Sequence, residues 1–321
     1  MANRIDVHQH VLPPFWVEGL RERSLSHRPP PWSPEAALAF MDANDISTGI
    51  LSLTAPGLTG WADGELAPMS RRVNEYTAEL AARWPERFGG FAYVPMPDVE
   101  ASIAEATYAL DVLGADGITL LSNYGDQYLG DESFEPLWEQ LDRRSAIVFV
   151  HPTRLSQPEL KGIPAPFVDF PFATTRAAVE MVMRGVLDRH RRISIILAHG
   201  GGFLPYTAYR FATFAASGPP GSTETATFET DTAASLATFR RYFLDTALTS
   251  SPTSLPALKA FADPSHILFG SDFPYAPGGT SRKFTSMLEE SDLLTPDERL
   301  RIDRENARQL FGPGVGWGAI S

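Results

Sequence analysis

Five residues in this chain have the types and spacing that metal or acid–base chemistry requires. The stretch IDVHQH, residues 5 to 10, ends a short apolar run with two histidines one residue apart, in a chain holding seven. Positions i and i+2 of a strand project to the same face, so His8 and His10 are expected side by side. His151 in VHP, His199 in AHGGG and Asp272 in GSDFP each close a further apolar run. Three imidazoles and a carboxylate form a nitrogen and oxygen set suited to Zn²⁺, Mn²⁺ or Fe²⁺, with room left for water or substrate. His8, His10 and His151 with Asp272 complete a site of that kind, and His199 then stands beside it as an acid or base. Taken singly, each has a plainer reading as a hydrogen-bonded structural residue. Their joint occurrence at strand ends favours the metal.

Positioning such a set demands a particular scaffold. Eight short, β-branched apolar runs are visible: RIDVHQH from Arg4, STGILSLT from Ser47, FGGFAYV from Phe88, DGITLLS from Asp116, AIVFVHP from Ala146, ISIILAHG from Ile193, RYFLDT from Arg241 and HILFGSD from His266. Helical spacing lies between them, for example in SPEAALAFMDAN from Ser33, LAPMSRRVNEYTAELAARW from Leu66, VEASIAEATYALDVL from Val99, SFEPLWEQLDRR from Ser133 and SPTSLPALKAFA from Ser251. This alternation predicts an α/β fold, a (β/α)8 TIM barrel over residues 1–321 as a single domain. A doubly wound open sheet is the alternative, but it joins only neighbouring strand ends. A barrel brings the ends of strands one, five, six and eight to one mouth. In strand one, Ile5, Val7 and Gln9 are expected to face the outer helices. Asp6, His8 and His10 then face the axis, with Asp6 and Asp245 as supporting carboxylates behind the ligands. ASGPPGSTETATFETDTAAS is expected as a flexible loop around 216–235, and the tail after 311 as irregular.

Composition narrows the function classes. The chain is 43% apolar and 21% charged, enough for a large core, and its net charge of −12 repels nucleic acid and anionic membranes. With no cysteine, disulfides and thiolate ligation are excluded, which fits a cytoplasmic location. MANRIDVHQH lacks the features of a signal peptide, and no apolar run reaches a membrane span. The other histidines have structural readings: His266 starts strand eight, far from the chemistry; His190 in LDRHRR is expected to be solvated; His27 lies in the loop after strand one. The glycines after His199 lack the spacing of a phosphate loop, and space beside the metal is their expected use.

IDVHQH, VHP, AHGGG and GSDFP, in this order and at these strand positions, resemble the amidohydrolase superfamily. More closely, the chain looks like the branch typified by aminocarboxymuconate semialdehyde decarboxylase, which includes hydroxybenzoate decarboxylases. The resemblance runs from Arg4 to about Phe311 and extends to RWPERFGGFAYVPM. It implies one divalent metal ion, Zn²⁺ with Mn²⁺ as the alternative, and a homodimer or dimer of dimers. It also implies metal ligation by His8, His10, His151 and Asp272 and catalysis by His199 with Asp272. Arg210 in YTAYRF matches the family's arginine that enters a neighbouring subunit's site to hold a substrate carboxylate. The loop RERSLSHRPPPW offers no match to a further substrate arginine of the prototype. Strand four ends in LLSNYG without the bridging lysine of two-metal relatives. ILSLTAPGLTGW looks like the enzymes that decarboxylate 6-methylsalicylate.

The expected activity is therefore metal-dependent, non-oxidative decarboxylation of a small aromatic carboxylate such as a salicylate. Removing CO₂ from an aromatic ring requires protonation of the ring carbon, a task that falls to His199 and Asp272. Trp16, Trp61 and Tyr124 are expected as walls for the ring. The competing reading is a hydrolase using the same metal to activate water against a lactone, ester or amide.

Overall fold

The computed structural model describes residues 2–23, 28–157, 159–216 and 228–312. The strands β1 Arg4–His10, β2 Ile46–Ser52, β3 Phe88–Tyr93, β4 Gly117–Leu121, β5 Ile147–His151, β6 Ser194–Leu197, β7 Phe243–Asp245 and β8 Ile267–Leu268 lie side by side in chain order in one 8-stranded sheet. All their pairings are parallel, so each connection must cross over, and helices do so. The chain beyond β8 returns along β1 and nearly closes the ring. Val7 N donates to Phe269 O at 3.0 Å, His10 N to Phe273 O at 2.8 Å and Asp272 N to His8 O at 2.8 Å. That return is what an open sheet lacks, and it makes the (β/α)8 barrel.

Local chemistry starts several of the helices. Ser33 Oγ accepts from Ala36 N at 3.1 Å and starts helix Pro34–Ala43 with a proline in its first turn. Asp98 does the same for helix Val99–Tyr108, its carboxylate accepting from Ala101 N at 3.0 Å. Helix Ala165–Met183, after β5, is hidden in the sequence by Pro166 and Pro171.

Two apolar layers hold the barrel. Outside it, Leu51, Ile118, Val148 and Ile195 meet helix residues such as Trp138, Met181 and Leu187. Inside, Ile50, Phe91, Phe149, Ile196 and Leu268 fill the axis, with Leu310 and Phe311 packed against them. Alternation along β1 breaks between Asp6 and Gln9, which pair with Gly49 and Leu51, so that β1 spends one extra residue there. Ile5 and Val7 consequently join the interior cluster, contrary to the outward placement expected for them. Asp6 turns to Gln9, its Oδ2 accepting from Gln9 Nε2 at 2.9 Å, and its Oδ1 accepts from Ser271 N at 3.0 Å. Asp6 thus braces the backbone that carries His8 and Asp272 and does not line the axis.

Three further expectations are corrected. The loop expected around 216–235 is helical at both edges, since Ala216 ends helix Leu204–Ala216 and helix Phe228–Phe239 packs against that helix; residues 217–227 lie outside the described residues. His190 is buried and bonded to Glu135 Oε1 at 2.9 Å, not solvated. Strand eight is only two residues long and begins after His266, whose ring stacks on Phe243. His27 and the tail from residue 313 also lie outside the described residues. No helix among the described residues is long and apolar enough to cross a membrane.

Candidate active site

His8, His10, His151 and Asp272 converge at the C-terminal ends of β1 and β5 and just beyond β8, each offering one ligand atom within 4.8 Å of the others. His8 Nε2 lies 3.1 Å from His10 Nε2, while Asp272 Oδ1 is 3.3 Å from the first and 3.0 Å from the second. A tetrahedron with metal bonds of ~2.0–2.1 Å has edges of about 3.3 Å, so these separations suit a common ion.

The tautomers agree with this. His8 Nδ1 is 2.7 Å from Asp245 Oδ2, His10 Nδ1 is 3.1 Å from Ser52 Oγ, and His151 Nδ1 is 2.7 Å from Pro152 O. Each Nδ1–H donates outward, which leaves all three Nε2 lone pairs for the centre. The charge balance agrees too. Burial disfavours the imidazolium of His8, yet Asp245 and Asp272 outweigh it and push His8 up to about 10. Burial holds His10 down to about 4, and burial with three neighbouring imidazoles holds His151 well below its ordinary value. For Asp272 burial is outweighed by hydrogen bonds from His10, His199 and His8, and it stays ionised far into acid. The carboxylates of Asp245 and Asp272 beside His8 favour a cation there, and three imidazole nitrogens with one carboxylate fit a divalent one.

His199 follows β6, with Nε2 3.4 Å from Asp272 Oδ2 and Nδ1 buried without a hydrogen-bond partner. It and Asp272 hold left-handed backbone, at φ 55° and φ 60°, unusual for residues other than glycine. The chain then turns through Gly202, φ 66°, where a Cβ would lie 2.1 Å from Pro171 O. The AHGGG glycines thus serve the turn that presents His199 as well as space: Gly200 and Gly202 also border the cavity.

That cavity has a volume of about 950 Å³, with His151, His199 and Asp272 on its surface, while His8 and His10 are fully buried. Phe167, Phe170, Phe203, Tyr206, Leu248 and Tyr275 contribute apolar walls. Tyr275 sets its ring edge-on to His10 at 5.5 Å. Trp16, Trp61 and Tyr124, the expected walls, do not line it. Trp16 is buried and donates from Nε1 to Gly57 O at 2.9 Å. Trp61 lies under the Arg23 guanidinium beside a different groove, and Tyr124 Oη accepts from Leu121 N at 3.0 Å. Their backbone-directed or lateral contacts could not be read from loop position alone. Arg210 is exposed on helix Leu204–Ala216, its guanidinium over Phe214, and it too stands outside the cavity. Arg154, which the sequence reading did not single out, borders the cavity and pairs with Glu159 at 2.9 Å. Its signal was available three residues after His151.

Comparison with known proteins agrees with the geometry. The family described as Amidohydrolase matches residues 5–312. A 6-methylsalicylic acid decarboxylase of Aspergillus aculeatus is 38% identical over 320 residues, 96% of this chain and 96% of that one. A crystal structure of an amidohydrolase II superposes with a TM-score of 0.87 at 30% identity, covering 96% of this chain and 99% of the other. A dihydroxybenzoic acid decarboxylase from Polaromonas sp. JS666, solved with bound manganese and an inhibitor, superposes with a TM-score of 0.76 at 23% identity, covering 98% of each chain.

Proposed function

This chain belongs to the amidohydrolase family, and on that premise we propose that it is a metal-dependent, non-oxidative decarboxylase of small aromatic hydroxy acids of the salicylate type. The observation that carries the reading is the convergence of His8, His10, His151 and Asp272, with His199 beside them, at the floor of a cavity with apolar walls.

His8, His10, His151 and Asp272 would hold a divalent ion, which would supply Lewis acidity towards the substrate's oxygens. Three imidazoles and one carboxylate suit Zn²⁺, with Mn²⁺ the alternative. The chain's own residues do the rest. The proton destined for the carboxyl-bearing ring carbon is held between Asp272 Oδ2 and His199 Nε2, 3.4 Å apart. Its transfer to carbon interrupts the ring's aromaticity. The bond to the carboxylate then breaks, its electron pair returns to the ring, and CO₂ leaves. Phe170, Phe203 and Tyr275 exclude water from the ring's faces. The 38% identity to a 6-methylsalicylic acid decarboxylase over 96% of the chain favours decarboxylation over hydrolysis.

A second copy of the chain completes this picture. Phe167, Phe172, Tyr206, Tyr209 and Phe214 are exposed on helices Ala165–Met183 and Leu204–Ala216, an apolar face of the kind that partners cover. Arg210 stands on that face and reaches the partner's substrate. The protein works in the cytosol as a homodimer or dimer of dimers.

The deciding experiment supplies protein loaded separately with Zn²⁺ and Mn²⁺ with a panel of salicylates and simple lactones. CO₂ release from the salicylates is the expected result. Acid release from lactones without CO₂ overturns the reading in favour of a hydrolase.

A further inference from the structure

The cavity is large for a single ring: about 950 Å³ stands at the upper end of the range of roughly 300–1,000 Å³ that receives drug-sized ligands. Strand order divides its walls. The segment after β5 brings the charged pair Arg154 and Glu159, while the segments after the neighbouring strands β7 and β8 form another part of the wall. In that part Leu248, Ser254, Ala257, Leu258, Ala276 and Pro277 border the cavity, and apart from the cluster's own Asp272 no bordering residue there is charged. Two of its hydroxyls are engaged with backbone. Ser254 Oγ donates to Thr249 O at 2.7 Å, and Thr249 Oγ1 donates to Asp245 O at 3.3 Å. Leu248, Ala257, Leu258, Ala276 and Pro277 thus give this part of the wall a mainly apolar lining, with Ala276 N donating to Asp272 O at 2.8 Å.

We propose that this lobe receives an apolar side chain on the substrate's ring, so that the substrate class is salicylates carrying an alkyl substituent of several carbons. The assignment rests on the decarboxylase reading for the identity of the ring and on the lobe for its substituent. A hydroxybenzoate with its carboxylate at the cluster leaves the lobe unfilled, and an alkyl chain adjacent to the carboxylate fills it. Ala257 and Ala276 set the space available to the chain.

The test is binding by calorimetry to the metal-loaded protein along the series 6-methyl-, 6-propyl- and 6-pentylsalicylate, with CO₂ release recorded separately. Affinity is expected to tighten about fourfold per methylene. Ala257→Phe and Ala276→Val, each checked for unchanged metal content and melting temperature, should flatten the series. Affinity that is constant or falls with chain length in the parent, or a slope unchanged in both variants, overturns the proposal. Tightening without CO₂ from any member supports the lobe and overturns the decarboxylase reading; CO₂ release with a flat series does the reverse.

Discussion

Asp245 Oδ2 lies 2.7 Å from His8 Nδ1, both side chains fully buried, while Asp245 Oδ1 accepts from the His199 backbone N–H at 2.9 Å. One carboxylate thus fixes the tautomer of a proposed metal ligand and the position of the proposed proton carrier. Gly270 permits the approach, since a Cβ there would lie 3.0 Å from His8 Cβ and 3.1 Å from Asp245 Cβ. Asp245→Asn keeps the shape but presents either an amide N–H to His8 or a weaker acceptor. Metal affinity should fall ~10–100-fold, as for other carboxylates that orient a ligating imidazole. Competition against a fluorescent chelator measures this, and parental affinity would show Asp245 to be dispensable.

Far from the cluster, Asp116 should shape stability against pH. Burial pushes its carboxyl from 3.8 up to about 6, against the pull of a 2.7 Å hydrogen bond from Gly90 N. The folded state prefers the protonated form, so this contribution is fully present below pH 3.8 and is lost as pH rises through about 6. At pH 8 the ionised group costs about 2 kcal/mol after allowance for its partial exposure. Asp116→Asn retains an acceptor for Gly90 N without the charge. Its melting temperature should exceed the parent's by about 4 °C at pH 8 and by nothing at pH 3.5. Calorimetric scans across that range decide it, and a gap that does not move with pH would refute the assignment.

The chemical cluster was legible in the sequence because it follows from strand periodicity: His8 and His10 share a face, and His151 and Asp272 close their own apolar runs. Eight alternations of strand and helix gave the barrel by the same rule. What was not legible depends on contacts distant in sequence. The extra residue in β1 between Asp6 and Gln9 puts Val7 and His8 on one side, which strict alternation forbids. His190 looked solvated among arginines because its partner Glu135 is 55 residues away. Trp16 and Tyr124 carried the aromatic signal of a ring site, but their polar atoms meet backbone groups and turn them away from the cavity. Phe170 and Phe203 supply the walls instead, the first from a helix whose prolines concealed it. Helix Phe228–Phe239 is built largely from Thr, Ser and Ala, and its packing on helix Leu204–Ala216 overrides its weak local pattern.

Arg210 tests the proposed assembly. Its guanidinium lies 5.0 Å from the Phe214 ring on an exposed face and stands outside its own subunit's cavity. If it serves the neighbouring site, Arg210→Ala should raise KM by ~10-fold or more with little change in melting temperature, the loss expected for a charged contact with substrate. Mixing Arg210→Ala subunits with His199→Asn subunits should restore part of the activity, because some hybrid sites then hold both side chains. Unchanged kinetics, or no recovery in the mixture, would return Arg210 to a surface role.

His199 is best probed with a residue that accepts its backbone. At φ 55° alanine would strain the turn and confuse catalysis with folding, whereas asparagine tolerates the left-handed region. Asn also keeps a polar side chain near Asp272 but cannot carry a proton at pH 7. His199→Asn should retain its metal, since His199 is not among the four converging ligands, and should lose ~10²–10⁴-fold in kcat, the range for removing a positioned acid or base. Deuterium incorporation at the ring carbon, followed in D₂O by NMR, should slow with turnover, because both require the same proton. A variant with normal kcat and full metal content would transfer the proton's management to Asp272 alone.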